Sequence, residues 1–83
     1  MVYLLHFDRP LHHARHYLGS TADLDARLAE HRAGTGARLV AVMRSLGIGF
    51  TLARTWPGDR KTERRLKRRK EGPRLCPICH PKA

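Results

Sequence analysis

The chain reads as an α+β domain: a small three-stranded, mainly antiparallel sheet flanked by three helices, in the order β-β-α-α-β-α. Three observations predict it. Short runs rich in β-branched and aromatic residues occur near residues 2–7, 16–18 and 50–56. Apolar residues recur at helical spacing over 24–28 and 39–46, and glycine or proline punctuates the passages between these segments. Strands and helices in this mixed order give an α+β fold, not an alternating parallel one.

Val2-Tyr3-Leu4-Leu5-His6-Phe7 is the first strand, and Asp8-Arg9-Pro10 is expected to end it, because proline lacks the N–H that strand pairing needs. A short His-rich link, Leu11 to Arg15, returns the chain as His16-Tyr17-Leu18, and so short a connection favours an antiparallel pair. Gly19 turns the chain, and Ser20-Thr21 offer hydroxyls for capping a helix over about Ala22 to Arg32. Asp23 and Asp25 fall in its first turn, where the positive end of the helix dipole favours carboxylates, and Gly34-Thr35-Gly36 stops it. Leu39, Val40, Met43 and Leu46 mark a second amphipathic helix from about Ala37 to Leu46, ending at Gly47. Phe50 to Trp56 is the third strand, closed by Pro57-Gly58. From Asp59 to about Lys70 runs a basic helix with Asp59 or Thr62 as its cap and Leu66 almost its only apolar residue; Gly72-Pro73 ends it. Residues 1–71 form the domain and 72–83 an irregular tail.

A chain of 83 residues builds one modest core, burying roughly 60 to 65 % of its unfolded surface. Its net charge of +10, from 17 Lys and Arg against 7 Asp and Glu, favours a polyanionic partner, nucleic acid ahead of an anionic membrane. No apolar run approaches the roughly 18 to 20 residues of a membrane span, and His6, Asp8 and Arg9 interrupt the stretch where a secretion signal needs an apolar centre. A cytoplasmic protein without membrane association is therefore expected.

Arg27 and His31 lie four apart on one helix face, and Tyr17 lies on the strand that feeds the helix. A phenol, a guanidinium and an imidazole are thus expected to converge at one sheet edge. In the basic helix, eight cations crowd residues 60–70 around one carboxylate, Glu63, and cannot neutralise one another. They favour phosphate contact, with Arg64, Lys67 and Arg68 sharing a face.

These residues resemble the GIY-YIG nuclease superfamily, whose name spells two tyrosine motifs on adjacent strands. Here they stand as Val2-Tyr3-Leu4, without the glycine and isoleucine, and as Tyr17-Leu18-Gly19, with leucine for isoleucine. YLGSTADLDARLAEH matches the family's strand, small-residue turn and helix with arginine and histidine, and the segment around Glu63 is similar to its metal-binding third helix. The likeness covers about residues 2–70; no asparagine occurs to match the one that many members carry late in the domain.

The resemblance implies a metal-dependent endonuclease that cuts DNA, serving repair, restriction or mobile elements, with branched or damaged DNA among the candidate substrates. Glu63 would hold one Mg²⁺ or Mn²⁺, hard cations that prefer oxygen and keep several waters. Arg27 would grip the scissile phosphate, and Tyr3, Tyr17 and His31 would position or deprotonate water. A partner protein or a homodimer would supply targeting or the second cut. The rival expectation is a catalytically weak or inactive nucleic-acid-binding module of the same fold.

Cys76-Pro77-Ile78-Cys79-His80 is the remaining motif. C-x-x-C-H matches c-type haem attachment, for which no export signal is seen. As zinc ligands, Cys76, Cys79 and His80 make half a site, with the rest drawn from His12, His13 or another subunit; His6, His12, His13 and His16 otherwise suggest adventitious metal affinity. A third reading follows: an interaction protein organised by zinc on this tail.

Overall fold

Six consecutive residues, Val2 to Phe7, are buried, so neither face of the first strand meets water. That strand is the centre of the molecule. The structure, a computed structural model, describes residues 1–11, 14–68 and 75–79. Its elements are β1 (Val2–Leu11), β2 (Ala14–Ser20), α1 (Leu24–Ala33), α2 (Arg38–Ser45), β3 (Phe50–Trp56) and α3 (Arg60–Arg68). The sheet order is β2-β1-β3, with both pairs antiparallel.

Alternation along β1 divides the domain in two. Tyr3, Leu5 and Phe7 share one face and pack with Leu28 of α1, Val40 and Met43 of α2, and Ile48. Val2, Leu4 and His6 point the other way. They are covered by α3, which packs against β2 and β1, and by the segment around Cys76. Each fully buried leucine or phenylalanine contributes about 1.5 to 3 kcal/mol, so this one strand anchors both layers.

Strand β1 runs past Pro10, where the sequence predicted a stop. Pairing with β2 is interrupted between His6 and Leu11 and resumes at Leu11 opposite Ala14, while pairing with β3 ends at Phe7 opposite Phe50. Pro10 therefore occupies a stretch of strand that asks no ladder hydrogen bond of it. A second irregularity, between Leu4 and Leu5, gives β3 one extra residue against β1.

The helix starts also differ from expectation in detail. Asp23 caps α1: its Oδ1 accepts a hydrogen bond from the Ala26 N–H at 3.1 Å. Thr21 acts one step earlier, its Oγ1 accepting from the Asp23 N–H at 3.1 Å, so the hydroxyl shapes the turn and the carboxylate caps the helix. Gly34, at φ 79°, closes α1 in the left-handed conformation that glycine adopts without strain. Helix α2 lies within its expected span. Asp59 caps α3, accepting from Lys61 N–H at 2.9 Å. The expected end of α3 at Gly72-Pro73 lies outside the described residues.

Candidate functional site

The hairpin register places Tyr3 opposite Gly19 and Leu5 opposite Tyr17, so the two tyrosines are diagonal neighbours on the α1 side of the sheet. The glycine is required by this packing. A Cβ at Gly19 would stand 2.6 Å from Tyr3 Oη and 2.9 Å from the Tyr17 ring. Helix α1 then lowers His31 onto the pair: Tyr3 Oη and His31 Nε2 are 2.7 Å apart, and the ring centroids lie 5.7 Å (Tyr3–His31), 5.5 Å (Tyr17–His31) and 6.1 Å (Tyr3–Tyr17) apart. Phe50 closes the far side of His31 edge-on at 6.3 Å.

Tyr3 and His31 have no solvent exposure, whereas Tyr17 is half-buried and the Arg27 side chain is 29 % exposed. The accessible chemistry therefore belongs to Tyr17 and Arg27. Burial pushes the Tyr3 phenol up, against the pull of the Arg27 guanidinium facing it. Arg27 in turn is held more firmly charged by Tyr3, and its Nη1 lies 3.5 Å from Glu30 Oε2. Burial, reinforced by Arg27, pushes His31 below its ordinary range, so the imidazole is neutral at pH 7. Its Nδ1 is buried without a hydrogen-bond partner. An unpaired acceptor costs less than an unpaired N–H, which favours the tautomer whose Nε2–H donates to Tyr3 Oη.

Glu63 stands apart from this group. It lies in the first turn of α3, and its Oε2 is 3.2 Å from Lys67 Nζ; among the described residues no hydrogen bond or ion pair joins it to Tyr3, Tyr17, Arg27 or His31. Helix α3 packs on the sheet face opposite α1, yet both helices start at the same end of the sheet. There a recess is lined by Ser20, Thr21 and Ala22 before α1 and by Gly58, Asp59 and Arg60 at the start of α3. Farther along α3, Lys61, Arg64, Arg65 and Arg68 line a second recess with i, i+3, i+4, i+7 spacing. Arg64 and Arg68 thus share a basic face, while Lys67, grouped with them from the sequence, is drawn round to Glu63.

A second cluster lies on the other face of the sheet. His6 and His16 face each other across the hairpin, Nδ1 to Nε2 at 3.4 Å. Cys76 Sγ is 3.5 Å from His6 Nδ1, and Cys79 Sγ is 3.7 Å from His6 Nδ1 and 3.3 Å from His16 Nε2. All four atoms lie within 4.8 Å of one another, a set able to hold a metal ion. Burial, with the nearby positive charge of Arg15, lowers both imidazoles, and burial raises the Cys79 thiol. The sequence had placed the two cysteines together but dismissed His6 and His16. The signal that finds them is register: once Leu5 pairs with Tyr17, His6 must pair with His16. His12, His13 and His80, also weighed as ligands, lie outside the described residues.

No protein-family profile matches the chain, and neither a curated protein nor a solved structure matches it.

Proposed function

We propose that this chain is a metal-dependent endonuclease hydrolysing DNA phosphodiester bonds, as its resemblance to GIY-YIG nucleases implies. The observation that supports this most is the meeting of Tyr3, Tyr17 and His31, drawn from β1, β2 and α1, through the Tyr3–His31 hydrogen bond and tilted or edge-on ring contacts, with Arg27 of α1 facing Tyr3. Arg27 would bind the scissile phosphate through its planar fork of donors. Tyr17, half-exposed beside it, would orient the attacking water. Tyr3 and His31 are positioning residues: buried and bonded to each other, they fix Tyr17 and Arg27 from behind.

Glu63 would be the oxygen donor for a divalent cation. Its carboxylate is 19 % exposed and its partner is an exposed lysine, an arrangement that fits one Mg²⁺ or Mn²⁺ with the remaining positions filled by water. When bound, such an ion supplies charge neutralisation and a more acidic water. The basic face of Lys61, Arg64, Arg65 and Arg68 would hold the duplex backbone.

The test is incubation of the purified chain with plasmid and branched DNA, with and without Mg²⁺ or Mn²⁺. Metal-dependent nicking is expected, and Arg27→Ala and Glu63→Ala are each expected to abolish it while unfolding at nearly the wild-type temperature. Full activity in both variants would remove these residues from the site. A second reading has its own support: the total burial of Tyr3 and His31 and the engagement of Glu63 by Lys67 suit a basic nucleic-acid-binding module without turnover. It predicts a salt-sensitive gel shift and no nicking under any metal.

A further inference from the structure

The geometry points to a zinc site formed by His6 Nδ1, His16 Nε2, Cys76 Sγ and Cys79 Sγ, which fastens the segment Leu75–Cys79 to the sheet face opposite the tyrosine cluster. The strongest support is metrical. A tetrahedral zinc with nitrogen at about 2.05 Å and sulfur at about 2.3 Å requires N···N edges of about 3.3 Å and N···S edges of about 3.6 Å. The N···N edge here is 3.4 Å, and three of the four N···S edges are 3.3, 3.5 and 3.7 Å. Four side chains from three separate parts of the chain are thus already gathered at separations close to the edges of a zinc tetrahedron, all within 4.8 Å of one another.

Composition of the set agrees with its shape. Two thiols and two imidazoles are a structural zinc set, and the x-x between the cysteines is the shortest of the usual spacings. With four protein ligands no position is left for water, so the ion's work is to hold the chain together. The placement shows what it holds. Cys76 is fully buried against β1, and the Leu75 carbonyl accepts a hydrogen bond from Arg54 Nη1 at 3.5 Å. Beyond Cys76 the segment lies at the surface, with Pro77, Ile78 and Cys79 all exposed. A chain this small gains much from a covalent-like staple, and here it would join residues about 60 to 70 positions apart in sequence.

The site is independent of the nuclease reading, and its test needs no activity. Protein prepared without chelators is assayed for bound metal, and the zinc-free form is titrated with Co²⁺. One zinc per chain is expected, as are the intense visible bands of tetrahedral cobalt with thiolate charge transfer. Cys79→Ser, at an exposed position, and His16→Ala are each expected to lose the stoichiometric zinc to a competing chelator that leaves it on the wild type. Three results would overturn the inference: zinc well below one per chain, zinc retained in Cys79→Ser, or cobalt spectra of octahedral, thiolate-free form. Zinc retained without the cysteines would mean adventitious binding by histidines. Should the variants fail to fold, the wild-type cobalt spectrum alone decides.

Discussion

His31 shows how one buried side chain serves both architecture and chemistry. It meets Tyr17 edge-on, bonds Tyr3 and abuts Gly36, where a Cβ would overlap Nδ1. Its folded pKa lies below the ordinary 6.5 because burial and Arg27 oppose a second positive charge, with Glu30 a weaker opposing influence. The unfolded chain therefore takes up the proton more readily. The neutral ring's contribution to stability is complete above about pH 6.5 and is lost as pH falls below that toward the lowered folded value. Wild-type Tm is expected to drop between roughly pH 7 and pH 5, and less steeply in His31→Gln. His6 and His16 are lowered in both proteins, so their part cancels in the comparison. Equal slopes, or a His31 ring resonance that titrates above pH 6.5, would refute this.

Helix α3 has no buried residue, yet it carries the densest charge in the molecule. Its stability comes from the Asp59 cap, the half-buried Thr62 and Leu66, and its seat on β2 and β1. Residues so weakly committed to the core are free to meet phosphate. Each phosphate neutralised adds about 0.9 to the slope of log affinity against log salt. Joint replacement Arg64→Ala and Arg68→Ala is expected to flatten that slope by roughly 1 to 2 and to weaken unrelated DNA sequences alike. Lys67→Ala should change it less, since Lys67 already pairs with Glu63. Unchanged slopes by fluorescence anisotropy would move the DNA-binding surface elsewhere. The helix was legible because composition and the aspartate at its start suffice to name it. A pairing of Glu63 with a neighbouring Arg or Lys was also legible, but that Lys67 would be the one was not, because the choice among neighbours is made by local geometry.

Taken whole, the domain was readable where information is local. Element order, antiparallel pairing and the grouping of Tyr17 with Arg27 and His31 follow from spacings within a strand, a turn and one helix. The metal cluster was not readable, because His6 meets Cys76 only after three layers have assembled. The length of β1 past Pro10 escaped for the same reason: whether a proline interrupts pairing depends on whether a partner is there to be refused. The central position of β1 has a consequence for biogenesis. Val2 to Phe7 is made well before β3, carries neither formal charge, proline nor glycine, and keeps one edge open until β3 has been made. Such a hexapeptide is a template for intermolecular β-pairing for as long as that edge is bare. A chain ended at Gly49, before β3, is expected to sediment as β-rich aggregate, while the full chain stays dispersed. A soluble, monomeric truncation would show that α1 and α2 alone shield the strand. Synthesis of this protein is thus a race in which the third strand must reach its place before a second nascent chain does.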